Sequence, residues 1–75
     1  QTVHAAFDRA IAEAPDNVKY RQQYTLALSR TEEYDAAIEQ ARAGLQLAQQ
    51  QQREADVETL NRLLQELQRQ AGGGS

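Results

Sequence analysis

The chain has 75 residues, of which 25% are charged, with a formal net charge of −3 and no cysteine. This length allows one small domain, and without disulfides its stability has to come from helix packing, neighbouring repeats or self-association. Acidic and basic residues are interleaved, and no apolar run approaches the ~20 residues that cross a bilayer. We therefore expect neither nucleic-acid binding nor membrane insertion, and the composition suits a periplasmic and a cytoplasmic location equally.

The composition predicts an all-α fold of about four helices, because good helix formers dominate and only one proline is present. The first helix is predicted from about Thr2 to Ala14, with Pro15 ending it. Its apolar residues recur with the 3.6-residue period of a helix. They are Val3, Phe7, Ala10, Ile11 and Ala14.

The second helix is predicted to begin after a cap at Asp16 or Asn17 and to run to about Arg30. Its predicted buried stripe is Tyr20, Tyr24, Ala27 and Leu28.

Thr31 is the predicted cap of the third helix. The acidic residues that follow it favour a helix N-terminus through the helix dipole. They are Glu32, Glu33 and Asp35. The predicted buried face of this helix consists of Tyr34, Ala37, Ile38, Ala41, Leu45 and Ala48.

The fourth helix has a clear apolar stripe and an uncertain start. The residues of this leucine stripe recur at spacings of three and four. They are Val57, Leu60, Leu63, Leu64, Leu67 and Ala71. Before them, the tract Gln49 to Gln52 has no glycine or proline to turn the chain. Two interpretations stay open: a poorly capped turn, which we favour, and one continuous helix from Tyr34 to Gln70 that would recruit a second chain.

Two segments carry a family resemblance. The segment from Phe7 to Pro15 has an aromatic, then a small residue and an aliphatic, then proline, and residues 34–39 have an aromatic followed by Ala-Ile. Gly44 stands 34 residues after Ala10, and Leu45 stands 34 after Ile11, which is the repeat length of tetratricopeptide arrays. Over residues 3 to 50 the chain thus resembles the tetratricopeptide repeat (TPR) family. The small residues Ala37 and Gly44 are expected to let paired helices approach closely.

The resemblance implies antiparallel helical hairpins of a right-handed superhelix. Residues 1–15 would be the second helix of a truncated repeat, 16–50 one repeat, 51–71 a terminal capping helix and 72–75 a flexible linker or tag remnant. The chain departs from the family pattern at Arg21, Thr25, Leu28, Ala41 and Gln49. The missing partner of the first helix leaves its apolar stripe with an uncovered flank, so a homo-oligomer or a helix-swapped dimer is also expected.

Catalytic chemistry has little support in the sequence. His4 and Asp8 share a helix face but lack a third metal ligand, and the acidic residues after Thr31 are explained by the helix terminus. We therefore expect no enzyme activity, no metal and no cofactor.

Binding is the better-supported function. In TPR arrays the first helix of each repeat lines a groove, so the resemblance implies a protein or peptide partner on the second helix here. The helical wheel independently places six residues on one face of that helix, roughly opposite Tyr20, Tyr24, Ala27 and Leu28. They are Lys19, Gln22, Gln23, Leu26, Ser29 and Arg30. The alternative function is oligomerisation or spacing, in which chains pair through Val57, Leu60, Leu63, Leu64 and Leu67.

Overall fold

The computed structural model describes residues 3–73 and the side chains of residues 4–72. Within that range the chain forms four helices and no strand: α1 (Val3–Glu13), α2 (Val18–Arg30), α3 (Tyr34–Gln50) and α4 (Glu54–Gly73). The predicted all-α class with four helices is confirmed. The predicted start of α1 at Thr2 lies outside the described residues, as does the side chain of Val3.

The α1–α2 connection follows from Pro15 and Asn17. α1 ends two residues before Pro15, as expected from the restriction that proline places on its predecessor. Asn17 is the N-cap of α2, and its side-chain oxygen accepts a hydrogen bond from the Tyr20 amide at 3.1 Å. Of the two caps predicted for α2, the structure uses Asn17, which satisfies an amide that the first turn would otherwise leave without a partner.

α2 ends in a Schellman turn, although no glycine is present there. Glu32 takes a left-handed conformation with φ 60°. The Glu33 amide donates to the Leu28 carbonyl at 2.9 Å, and the Glu32 amide donates to the Ser29 carbonyl at 3.1 Å. This hydrogen-bond pair satisfies carbonyls at the end of the helix and redirects the chain into α3 within three residues.

α3 ends in the same way inside the glutamine tract. Gln52 has φ 58°, its amide donates to the Gln49 carbonyl at 3.2 Å, and the Arg53 amide donates to the Ala48 carbonyl at 2.9 Å. The favoured prediction of a turn is therefore confirmed. The alternative of one continuous helix from Tyr34 to Gln70 is wrong, because a left-handed residue interrupts the helical hydrogen bonds.

The predicted cap of α3 is also wrong. Thr31 belongs to the end of α2, where its hydroxyl donates to the Leu28 carbonyl at 3.1 Å. Glu33 occupies the N-cap of α3 without a side-chain capping bond, and the acidic residue in the first turn is Asp35. Glu32 is excluded from that turn because it adopts the left-handed conformation that closes α2.

The helices form a flat layer measuring 35 × 33 × 13 Å. α3 packs against both α2 and α4, α2 also contacts α4, and α1 packs against α2. One buried cluster joins the C-terminal half of α2 to the start of α3 and the end of α4. A second cluster joins the start of α2 to the end of α3 and the start of α4, so consecutive helices are antiparallel. The clusters are Tyr24, Leu28, Ala37, Ala41 and Leu67, and Val18, Ala48 and Leu60.

Gly44 marks the closest approach of three helices. A Cβ atom at this position would lie 3.1 Å from the Arg21 Cβ on α2 and 3.4 Å from a Leu60 methyl on α4. The absence of a side chain therefore lets α3 approach both neighbours, as the sequence predicted for Gly44. Ala37 is fully buried on the same face of α3.

The buried face of α2 differs from the prediction. Tyr24 and Leu28 are buried as expected, whereas Tyr20 and Ala27 are only half-buried. Val18 and Thr25 are buried instead, at 2% and 0% exposure. The reason is that α2 is covered by α1 on one flank and by α3 and α4 on the other, which widens and rotates its buried surface. Thr25 is satisfied because its hydroxyl donates to the Arg21 carbonyl at 2.8 Å.

α4 continues past the predicted end at Ala71 and includes Gly72 and Gly73. The beginning of the segment predicted as a linker is therefore helical, and positions 74–75 lie outside the described residues. None of the described helices is long and apolar enough to cross a membrane.

Candidate functional site

The exposed surface of α2 is a single stripe with the spacing of one helix face. Lys19, Gln23, Leu26 and Arg30 are exposed and follow each other at intervals of four, three and four residues, and we call them the α2 stripe. The other two residues predicted for this face, Gln22 and Ser29, are half-buried. They lie on the shoulder of the helix nearer to Val18 and Thr25, so the structure divides the predicted groove set into four outward residues and two flanking ones.

Leu26 is the large apolar side chain that the described part of the chain leaves exposed, at 42%. The hydroxyl of Ser29 donates to the Leu26 carbonyl at 2.9 Å, one turn along the helix. Single exposed leucines are common on protein surfaces. Leu26 is distinguished by its position in the middle of the α2 stripe, whose other members are one amide and two cations.

Lys19, at the start of the α2 stripe, is held by an ion pair with α4. Its Nζ lies 3.2 Å from an Asp56 oxygen, and the Arg53 Nε donates to the other oxygen at 2.7 Å. The hydrogen bond from Arg53, followed by the hydrogen bond and charge of Lys19, outweighs burial and lowers the pKa of Asp56. The carboxylate therefore fastens the first turn of α4 to the first turn of α2.

The charged residues of α2 are all cations, namely Lys19, Arg21 and Arg30. Arg21 turns towards α3, where its Nη1 donates to the Gln40 side-chain oxygen at 3.0 Å and its buried Nε has no hydrogen-bond partner. Lys19 is paired with Asp56, and Arg30 makes no ion pair within residues 3–73. Arg30 is therefore the cation of the α2 stripe that is available to a ligand.

The leucine stripe of α4 faces the chain's own core. Leu60 is 0% exposed and Leu67 is 3% exposed. Val57, Leu63 and Leu64 are half-buried against the same two clusters. Leu60 and Leu67, which were predicted for self-association, are therefore covered within the chain's own core.

The candidate metal ligands do not converge. His4 lies beside Glu33, with Nε2 and Oε1 2.9 Å apart. Asp8 instead interacts with Tyr24. Residues 3–73 contain no group of three histidine or acidic side chains that could hold a metal ion. Of the acidic residues predicted at the start of α3, Glu33 contacts His4 and Thr31. Asp35 lies in the first turn of α3.

A shallow cleft lies beside the α3–α4 turn, away from the α2 stripe. It is lined by Gln49, Gln52, Glu54, Val57, Glu58 and Asn61. The lining holds two carboxylates but no histidine, lysine or hydroxyl nucleophile to work with them. The cleft lies where α3 ends and α4 begins.

Sequence reasoning found the α2 face but missed the residues that fix it. Asp56, Arg53 and Arg21 were given no part in the predicted site. The sequence signal for Asp56 is Arg53, three residues earlier. This spacing places both side chains on one face of the first turn of α4. Nothing in the sequence indicates the contact with Lys19, which is 37 residues away.

No family model, no curated protein and no solved structure matches this chain. The function therefore has to be argued from the chain's own residues.

Proposed function

We propose that this chain is a protein-interaction scaffold that binds a peptide or helix of a partner protein on the α2 stripe. The observation that carries the proposal is Leu26, a large apolar side chain 42% exposed on a helix whose charged residues are all cationic. An apolar side chain of the partner would cover Leu26, and a carboxylate would pair with Arg30. Leu26 and Arg30 are four residues apart, so one short segment can reach both.

The surrounding structure supports a binding role because it makes the stripe rigid. The Asn17 cap fixes the start of α2, the Schellman turn fixes its end, and the Asp56 carboxylate joins its first turn to α4. A preformed surface loses little conformational entropy when a ligand binds. The TPR resemblance supports the same face, since the 34-residue return from Ala10 to Gly44 makes α2 the first helix of a repeat.

The alternative function, oligomerisation through the leucine stripe, has less support. Pairing through Leu60 or Leu67 would require α4 to leave α3 first, because both side chains are buried in the core. A homo-oligomer or helix-swapped dimer through α1 is compatible with the half-buried Phe7 and Ile11.

The test is selection of peptides from a random displayed library on the immobilised chain, followed by fluorescence anisotropy of the recovered peptides. We expect peptides that combine an apolar residue with a nearby acid. Leu26→Glu should weaken their binding at least tenfold, because it places a charge in the apolar contact and repels the acid. Gln46→Glu, which adds the same charge at an exposed position of α3, should leave binding unchanged.

Circular dichroism melting of both variants confirms that each is folded. Equal affinity of the wild type and Leu26→Glu would remove the α2 stripe as the binding surface. Failure to recover any peptide above the background of an empty support would refute a peptide-binding role.

A further inference from the structure

The spacing of the α2 stripe indicates the shape of the partner segment that fits it. Its residues follow one another at intervals of four, three and four, and they are Lys19, Gln23, Leu26 and Arg30. This is the spacing of a coiled-coil seam, along which a second helix contacts the first over its whole length. In an extended peptide the side chains of one face recur about every 6.6 Å, so they do not keep step with helical turns of about 5.4 Å.

The backbone of α2 is already occupied by its own hydrogen bonds. Beside the α2 stripe the amides and carbonyls bond along the helix, and the Schellman turn occupies the carbonyls of Leu28 and Ser29. No strand is present among residues 3–73 that a peptide could extend. The side-chain amide of Gln23 is then the one neutral polar group of the α2 stripe that could pair with the backbone of an extended peptide. A helical partner has no such need, because its amides and carbonyls bond along its own axis.

The charges around the α2 stripe indicate where the partner carries an acid. Lys19 is paired with Asp56 at 3.2 Å. Arg30, in contrast, makes no ion pair within residues 3–73, not even with Glu32 two residues later. Because Arg30 lies one turn after Leu26 on the same face, a partner helix that covers Leu26 with an apolar side chain can reach Arg30 with a carboxylate one turn away.

The direction of the partner helix follows from the position of Arg30. Arg30 is the last residue of α2, so it lies at the negative end of the α2 helix dipole. A partner helix that runs antiparallel brings its positive N-terminal end to this place, and its own dipole favours a carboxylate near that end. In this direction the acid precedes the apolar residue along the partner chain.

We propose that the α2 stripe binds an amphipathic helix that runs antiparallel to α2 and carries an acidic residue one turn before an apolar residue. The acid pairs with Arg30, and the apolar side chain covers Leu26. This inference rests on the proposed function, because it specifies the partner of the same surface. α2 has 13 residues, so a partner helix of equal length, about 20 Å, covers the α2 stripe from end to end.

The test uses synthetic peptides of about 18 residues, a length at which an alanine- and glutamine-rich sequence forms helix in water. In the first peptide a glutamate precedes a leucine by four residues. The second has the same composition with the glutamate and the leucine exchanged. The third keeps the order of the first but has two D-alanines between the glutamate and the leucine. Circular dichroism of the free peptides checks that the D-alanines remove the helix, and NMR chemical shifts of the intact isotope-labelled chain measure binding.

We expect the first peptide to shift the α2 amides and to bind at least about tenfold more tightly than the D-alanine peptide. The reason is that a D-residue in a right-handed helix meets the clash that an L-residue meets in a left-handed one. The exchanged order should weaken binding by about two- to fivefold, the size of one charge interacting with a helix dipole.

Arg30→Gln should abolish this preference for order, because it removes the cation that the glutamate contacts. Arg42→Gln is the matched control, since it removes an exposed cation from α3 and should keep the preference. The preference is a ratio measured within each variant, so it does not depend on the stability of that variant.

Equal affinity of the first and the D-alanine peptides for the α2 stripe would overturn the helical partner and leave the proposed function standing. Equal or tighter binding of the exchanged peptide would overturn the antiparallel direction, as would a preference for order that survives in Arg30→Gln. If none of the peptides shifts the α2 amides, this inference and the proposed function fail together.

Discussion

Asp56 combines strong burial with a full charge. It is 7% exposed, it lies in the first turn of α4, and it receives Lys19 from α2 and Arg53 from the preceding turn. The helix dipole favours a carboxylate at this position, and two cations compensate for its removal from water. An asparagine of the same shape keeps one acceptor oxygen, loses the charge and turns an NH2 group towards one of the two cations.

We therefore expect Asp56→Asn to lower the free energy of unfolding by about 1–2 kcal/mol at neutral pH. The folded-state pKa of Asp56 is lowered, so its contribution is present above the unfolded-state value and is lost as the pH falls through the folded-state value. The difference between wild type and variant should thus be full at about pH 6 and shrink below about pH 4.

Urea titrations at several pH values measure this difference. Glu54→Gln removes an exposed acid from the same first turn and serves as the matched control, with an effect within about 0.5 kcal/mol. A constant difference between wild type and Asp56→Asn down to low pH would show that the carboxylate charge is not what stabilises the junction.

At the residue scale, the sequence predicts positions that depend on side-chain size. It does not predict ion pairs between residues that are far apart along the chain. Gly44 could be recognised because a small residue at a helix crossing has a local meaning, and the 3.1 Å approach of the Arg21 Cβ agrees with it. Asp56 could not be recognised because its partner Lys19 is brought close only by the packing of α2 and α4. The exposed face of α2 was predicted in part, since four of the six residues proposed for it are exposed and form the α2 stripe.

At the scale of elements, the two Schellman turns explain both the successes and the errors. Helix types and approximate ends follow from periodicity, from Pro15 and from the capping side chain of Asn17. The ends at Thr31 and Gln51 are closed by left-handed residues that are not glycine, for which sequence has no strong signal. This is why the glutamine tract was ambiguous and Thr31 was assigned to the wrong helix.

The left-handed positions make a stability prediction. Glu32→Gly and Gln52→Gly should each raise the free energy of unfolding by about 0.5–1 kcal/mol, because glycine adopts φ near +60° without the steric cost of a Cβ atom. Gln50→Gly, at the last helical position of α3, should lower it by up to about 1 kcal/mol.

Thermal unfolding followed by circular dichroism compares the three glycine variants with the wild type. A loss of stability in both Glu32→Gly and Gln52→Gly would mean that the greater freedom of glycine in the unfolded chain outweighs the relief of strain.

The whole molecule is a helical layer 13 Å thick in its shortest dimension, and its core is correspondingly small. Eight hydrophobic residues are buried in the described part of the chain, and three of these are alanines. The large buried leucines therefore carry a large share of the apolar stabilisation. Sequence periodicity indicated that the α4 leucines were apolar contacts, but it could not indicate whether α3 or a second chain covered them.

The two apolar surfaces that the sequence analysis considered for binding differ in burial: the leucine stripe lies in the core, whereas Leu26 is exposed. Leu60→Ala should lower the free energy of unfolding by about 2–5 kcal/mol, because it opens a cavity at a fully buried position between α3 and α4. Leu26→Ala should change it by no more than about 0.5 kcal/mol, because Leu26 is exposed and lies outside both buried clusters.

Urea unfolding combined with sedimentation of the same samples tests both expectations. If the leucine stripe served mainly to pair chains, Leu60→Ala would lower the sedimenting mass while the remaining subunit kept its stability. Loss of stability at an unchanged mass under native conditions is the result expected here, because the partner of Leu60 is α3 of its own chain. The α2 stripe then remains the surface that we propose for a partner, and Leu26 can be replaced there at little cost to the fold.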